Sequence, residues 1–231
     1  MARVALVIRH LGIAHLGNLE PVLLANDYEV RYVDVTTDAL LADPTEPELV
    51  VVLGGDMGVY EKHEHPFIDR ELAFLERRLE AERATLGICL GAQMMAEALG
   101  ETVRKGKTVE IGFREVRPTD AGLDSPVRHV AGVPMMQWHG DTFGLPSGAT
   151  RLASSAEYSN EAWSLGDHAL AVQFHPELTG DMYEEWITDG LPELERHGID
   201  PDDLRAQAAR HGAAMEQASI AMFGEWLGLQ P

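Results

Sequence analysis

Four short apolar runs, residues 3–8, 29–35, 49–53 and 85–89, separated by stretches with helical spacing, constrain the fold of this chain more than any other feature. Three of the runs are rich in Val or Ile, as strands are. Between the third and fourth, Ile68, Leu72, Leu75 and Leu79 share one helical face with charges opposite, and Pro66 stands at the helix start. This alternation predicts an α/β fold, a mostly parallel central sheet flanked by helices. Ligands of such sheets sit beyond the carboxyl ends of the strands, where Gly54, Gly55, Cys89 and His175 would gather. After residue 100 the runs shorten. Residues 101–104 and 112–118 read as strands of an antiparallel or mixed edge region that carries loops over the site, with a turn at Asp120-Ala121-Gly122. From Asp200-Pro201 onward the Ala-rich composition, an Asp N-cap and a first-turn Pro predict a helical tail, with Leu204, Ala208, Met215, Phe223 and Trp226 as its packed or oligomer-forming face. The expected division is a main domain over residues 1–190 and a helical extension over 191–231, packed on it.

The fourth run ends in Gly87-Ile88-Cys89-Leu90-Gly91-Ala92-Gln93, which holds the only cysteine of the chain, and residues 92–99 then read as a helix. A residue on a sharp strand-to-helix turn projects its side chain above the sheet into solvent, and glycines two positions either side relieve the crowding. The helix N-terminus favours a thiolate and offers free N–H groups to an oxyanion. By itself the pattern fits a nucleophile and a small buried hydrophobe about equally.

A second segment, residues 169–177, alternates apolar and polar positions as a strand does and closes with His175-Pro176-Glu177. A cysteine nucleophile requires a base, and the base requires a third group to orient it. Residues two apart in an extended segment project to one side, so Glu177 is placed to orient His175. His175 alone would read as an ordinary strand-end histidine; with Cys89 it reads as half of a catalytic pair.

Four blocks now stand in one order: Val52-Leu53-Gly54-Gly55-Asp56, the turn at Cys89, Gln137-Trp138-His139-Gly140-Asp141-Thr142-Phe143, and residues 173–177. In them the chain resembles the class I, or triad, glutamine amidotransferases, in particular stand-alone members similar to the glutamine amidotransferase domain of GMP synthase. Placement of the acid two residues after the histidine separates it from the α/β-hydrolases, whose acid precedes the histidine. The resemblance implies a flavodoxin-like sheet and a Cys89–His175–Glu177 triad that hydrolyses the side-chain amide of glutamine. It implies oxyanion donors at the Leu90 and Gly55 N–H groups, with Gly54 allowing close approach of the backbone. Gln93, Trp138, His139, Gly140 and Asp141 are placed around the glutamine backbone, His139 with no part in proton transfer. Members commonly carry proline after the paired glycines, where this chain has Asp56.

Composition narrows the partners. A formal net charge of −20, from 38 acids against 18 bases, repels nucleic-acid phosphate and anionic lipid. No apolar run approaches the roughly 20 residues that span a bilayer. A single cysteine excludes an internal disulfide framework, and Met1-Ala2-Arg3 followed by a short apolar run is a poor secretion signal, so a cytoplasmic protein is expected. His63-Glu64-His65 is the one dense cluster of candidate metal ligands along the chain, and it lacks the further ligands of a zinc site. No metal and no cofactor are expected, and no G-x-x-x-x-G-K-[ST] loop is present to hold a nucleotide.

Three activities fit these residues. The first is a glutaminase that passes ammonia to a separate synthetase. The second is a hydrolase of γ-glutamyl peptides or amines that works alone. The third is a binding or regulatory subunit whose triad is idle until a partner reshapes the glycine loop.

Overall fold

The computed structural model describes residues 3–40 and 42–230. Met1 and Ala2, which open the segment read above for a secretion signal, lie outside the described residues. The chain begins β1 (Arg3–Arg9), α1 (Leu19–Ala25), β2 (Tyr28–Asp34), β3 (Leu49–Val52), α2 (Phe67–Glu80), β4 (Thr85–Ile88) and α3 (Leu90–Ala98). There follow β5 (Val103–Glu115), β6 (Arg117–Pro118), α4 (Asp120–Leu123), a 3-10 turn over Pro126–Val130, β7 (Pro134–Phe143), β8 (Thr150–Ser154), β9 (Ala162–Leu165) and β10 (Ala169–Val172). Helices α5 (Gly180–Asp189), α6 (Leu191–His197) and α7 (Pro201–Gly228) complete it.

The main sheet runs β2-β1-β3-β4-β10-β9-β8-β6. Its first five strands are parallel and its last four pair antiparallel. The order reverses between β1 and β3, because the chain leaves β1 for one neighbour and later returns to its other side. Such a reversal opens a crevice at the carboxyl ends of the two strands. Strands β3, β4 and β10 are buried on both faces, which is why their sequences run apolar without alternation. One face is covered by α1 and α7 through Leu19, Leu23, Met215 and Phe223, the other by α2 and α3 through Leu75, Leu79, Met94 and Met95.

Several expectations from the sequence change here. Residues 101–104 and 112–118 are not two short strands: residues 103–104 and 112–115 belong to one strand, β5, 13 residues long, which pairs with β7 in a separate two-stranded ribbon, and 117–118 form β6. The ladder shifts register between Lys105 and Glu110, and the exposed side chains of that stretch hide the strand from a hydropathy reading. The expected turn at residues 120–122 is the short helix α4, capped by the Thr119 hydroxyl, which accepts from Gly122 N–H at 3.1 Å. Residues 169–177 are a strand only as far as Val172; residues 173–177 bend across the strand ends. Helix α3 starts at Leu90, two residues early, so Cys89 is its cap. At the tail, Asp200 caps α7 by accepting from Asp202 N–H at 2.9 Å, and Leu204, Met215, Phe223 and Trp226 are buried. No helix among the described residues is long and apolar enough to cross a membrane.

Candidate active site

The turn between β4 and α3 is built by close packing. Cys89 has φ 52° and ψ −106°, a left-handed conformation that a residue with a Cβ adopts at a cost of about 1–3 kcal/mol. It is held by backbone hydrogen bonds at both ends: its N–H donates to the Val172 carbonyl at 2.8 Å, and its carbonyl accepts from Gln93 N–H at 3.1 Å. Gly91 is needed because a Cβ there would run into the Val52 carbonyl oxygen, so only glycine lets α3 sit this close to β3. Contrary to the expectation of an exposed thiol, Cys89 is 5% exposed. Its sulfur lies at the floor of a cleft, 3.8 Å from the Trp138 carbonyl oxygen.

His175 reaches that cleft from the bend after β10. Its Nδ1 bonds Glu177 Oε1 at 2.8 Å, and both side chains are buried. The bend is braced from three sides: His175 N–H donates to the Met136 carbonyl at 2.8 Å, Asn18 N–H to the Glu177 carbonyl at 2.9 Å, and Asn18 Nδ2 to the Pro176 carbonyl at 2.7 Å. Asn18 in turn accepts from Ser219 Oγ on α7 at 2.9 Å, so the C-terminal helix holds the bend through one intermediary. Trp186 of α5 meets the imidazole edge to face, ring centroids 4.6 Å apart. Burial disfavours a charge on His175, but the Glu177 carboxylate and the Cys89 sulfur outweigh it and raise the imidazole to about 10. The ring therefore holds a proton well above its ordinary range, with the Glu177 carboxylate on one side and the Cys89 sulfur beside it.

Around these groups the structure gathers most of the residues singled out by the sequence. The cleft, about 650 Å³, is bordered by Gly55, Gln93, Trp138, His139, Gly140 and Asp141 as well as by Cys89 and His175. Gly54 stands just behind its wall, where a Cβ would come within 2.9 Å of His175 Cε1. Leu90 sends its side chain into the core under α3, so what it can offer the site is its backbone N–H in the first turn of that helix. Glu177 lies behind His175. Gln93 neither caps a helix nor stands free: its Nε2 donates to Gln173 Oε1 at 3.2 Å. Asp56 is exposed at the rim.

Two groupings of side chains were not legible in the sequence, although His139 itself was named there. The first is a buried cluster in which His139 Nε2 lies 3.5 Å from Glu110 Oε2 and 3.6 Å from Glu161 Oε1. Ser155 donates to Glu110, Gln137 donates to Glu161 at 2.8 Å, and the Tyr158 ring packs on His139 with centroids 4.8 Å apart. Burial opposes the charge on His139, but the two carboxylates raise it to about 10. Among the described residues this is the group whose ligand atoms converge as a metal site would need. Three ligands fall short of a closed structural zinc site, and an imidazolium between two carboxylates accounts for the same positions. Residues 110, 139 and 161 come from β5, β7 and the segment before β9, so no spacing rule finds them. His63-Glu64-His65, read from the sequence as lacking the further ligands of a zinc site, is a largely exposed turn. The second group is His10 and Glu71, beneath the glycine loop.

Comparison with known proteins agrees with this layout. A family model described as glutamine amidotransferase class-I matches residues 11–191. The glutamine amidotransferase-like protein YfeJ of Salmonella typhimurium is 33% identical over 162 residues, 68% of this chain and 68% of that protein. The GMP synthase of Mycobacterium leprae is 34% identical over 174 residues, 74% of this chain and 31% of that enzyme. A glutamine amidotransferase of Thermotoga maritima, solved by crystallography, superposes with a TM-score of 0.88 at 34% identity, covering 98% of this chain and 99% of that one. With a strand order that reverses at the glycine loop, a strained cysteine turn, and a family match across residues 11–191, the chain belongs to the class I glutamine amidotransferases.

Proposed function

We propose that this chain is a glutaminase in which Cys89 is the nucleophile, His175 the acid–base group and Glu177 the residue that orients it. His175 Nε2 takes the thiol proton, and the Cys89 sulfur attacks the side-chain amide carbon of glutamine. The negative charge that develops on the amide oxygen is held by the Leu90 and Gly55 N–H groups. As the tetrahedral adduct collapses, the C–N bond breaks, His175 returns its proton to the departing nitrogen, and ammonia leaves a γ-glutamyl thioester on Cys89. Water, deprotonated by His175, attacks the thioester carbon. The C–S bond breaks, glutamate departs and the thiol is restored. Gln93, Trp138, His139, Gly140 and Asp141 form the wall against which the amino-acid end of the substrate rests.

The observation that carries this reading is the strained Cys89 turn meeting a buried His175–Glu177 pair on one cleft. The likeness to GMP synthase, limited to 31% of that enzyme, supports use of the ammonia by a synthetase unit outside these residues. Residues 1–190 act as the amidotransferase unit, and 191–231 as a helical extension that steadies it from behind through Ser219 and Asn18. The size of the cleft, which runs past Trp138 to Asp189 and Glu193 and exceeds what a free amino acid fills, favours a second reading, hydrolysis of γ-glutamyl peptides or amines.

Glutamate and ammonia release from glutamine, compared with release from a set of γ-glutamyl peptides, separates the two. Cleavage of peptides with negligible action on glutamine selects the second. A glutamine-like alkylating analogue should add a single equivalent, at Cys89, and Cys89→Ala should lose both labelling and turnover. Full activity in Cys89→Ala would end the mechanism.

A further inference from the structure

The proposed reaction leaves without a task a fully buried ion pair that meets the glycine loop from behind. His10 follows β1 and Glu71 lies on the inner face of α2; their side chains are 0% and 1% exposed. His10 Nε2 meets the two Glu71 oxygens at 3.2 and 3.0 Å, and Nδ1 lies 3.3 Å from the Gly54 carbonyl oxygen. A carboxylate and a carbonyl only accept hydrogen bonds, so both ring nitrogens must carry hydrogen. His10 is then an imidazolium with Glu71 as its counter-ion. Burial opposes that charge, but Glu71 and the Gly54 and Leu53 carbonyls outweigh it and raise the proton affinity of the ring.

We propose that His10, held by Glu71, is a positioning residue that fixes the Gly54–Gly55 peptide with the Gly55 N–H turned to the cleft as an oxyanion donor. The inference rests on the amide-hydrolysing function proposed above and assigns it a further residue. A trans peptide is planar, and its N–H points opposite to its C=O; no peptide bond among the described residues is cis. With the Gly54 carbonyl turned inward to His10, the Gly55 N–H must face the other way, on the side where Gly55 borders the cleft and Gly54 approaches His175. No acceptor among the described residues takes that N–H. Two successive glycines can turn their shared peptide over with little steric resistance. In the flipped state a carbonyl dipole would face the developing negative oxygen and repel it. The bond from His10 Nδ1, on a ring that Glu71 holds in place, removes that state at the β1–β3 crevice, where His10 and Gly54 leave adjacent strands. Because the oxyanion exists only near the transition state, the effect belongs to kcat and not to substrate binding.

The test compares His10→Asn with His10→Gln. The Asn amide nitrogen replaces Nδ1, the atom at Gly54; the Gln amide nitrogen replaces Nε2. We expect His10→Gln to lower kcat by about 10- to 100-fold with KM little changed, below the loss from deleting an oxyanion donor outright. His10→Asn should recover most of that loss. Alkylation of Cys89 by iodoacetamide, which needs the thiolate but no oxyanion donor, should keep its wild-type rate in both. Glu71→Gln is the further variant should His10→Gln fail to fold: a neutral His10 can still donate through Nδ1, so kcat should fall only slightly. Wild-type kcat in folded His10→Gln, equal losses in the Asn and Gln variants, or a loss confined to KM would overturn the inference while leaving the proposed function intact. A wild-type chain that cleaves neither glutamine nor γ-glutamyl peptides, with Cys89 unlabelled by the glutamine analogue, would remove both.

Discussion

Single residues in this protein do their work by being held where isolated chemistry would not leave them. Cys89 adopts a backbone conformation that costs energy, and His175 keeps a proton despite burial because Glu177 and Cys89 face it. Glu177→Ala removes the orienting carboxylate and leaves the imidazole free to take the wrong tautomer. By analogy with acid removal from other triads, kcat should drop about 10⁴-fold, less than the complete loss from Cys89→Ala, and stopped-time ammonia release would measure both. Gly91→Ala should destabilise the chain and slow turnover together, since the added methyl strikes the Val52 carbonyl and pushes α3, with its N–H groups, away from the sulfur; a chemical melt alongside the assay reads both. Legibility at this scale was uneven. Cys89, His175 and Glu177 were picked out because each sits in a short local pattern. Glu110, Glu161, His10 and Glu71 were not, because a buried acid has no local signature and its partner lies tens of residues away.

At the level of elements, apolar periodicity worked where one face of an element is buried and failed where neither is continuous. Helix α2 was readable from Ile68, Leu75 and Leu79, yet its most demanding buried residue is Arg78, 0% exposed. That guanidinium donates to the carbonyls of Pro44, Pro47 and Ala84 and to Thr85 Oγ1, tying the loop before β3 and the start of β4 to the helix. We expect Arg78→Ala to cost about 3 kcal/mol or more in a urea titration, because several buried carbonyls lose a charged donor at once. The ribbon of β5 and β7 shows the opposite case. Its residues 104–109 alternate poorly, so hydropathy splits one strand into two, and only its pairing with β7 reveals it. For α7 the local signals sufficed: the Asp200 cap and Pro201 mark its start, and Asp200→Ala should cost about 1 kcal/mol.

Across the whole molecule the dominant electrostatic fact is the net charge of −20. Self-repulsion of that size weakens the compact state and is screened by salt, so the melting temperature should rise between 0.05 and 0.5 M sodium chloride. Superimposed on it are His139 and His175, both raised from the ordinary histidine range to about 10. A group whose folded pKa lies above its unfolded value stabilises fully below the unfolded value and loses that contribution as pH rises to the folded one. Stability should therefore decline between about pH 6.5 and 10, and His139→Gln should flatten the decline in thermal melts across that range. By itself the sequence determined the layered α/β class, the short segments that carry Cys89 and His175 and the cap of α7, since each depends on residues close in the chain and on the hydrophobicity of single strands. Tertiary structure alone decided how deeply Cys89 is buried, which carboxylates charge His10 and His139, and how the C-terminal helix reaches the His175 bend. Those outcomes depend on distances between segments set by the strand order β2-β1-β3-β4-β10, and no local pattern encodes such distances.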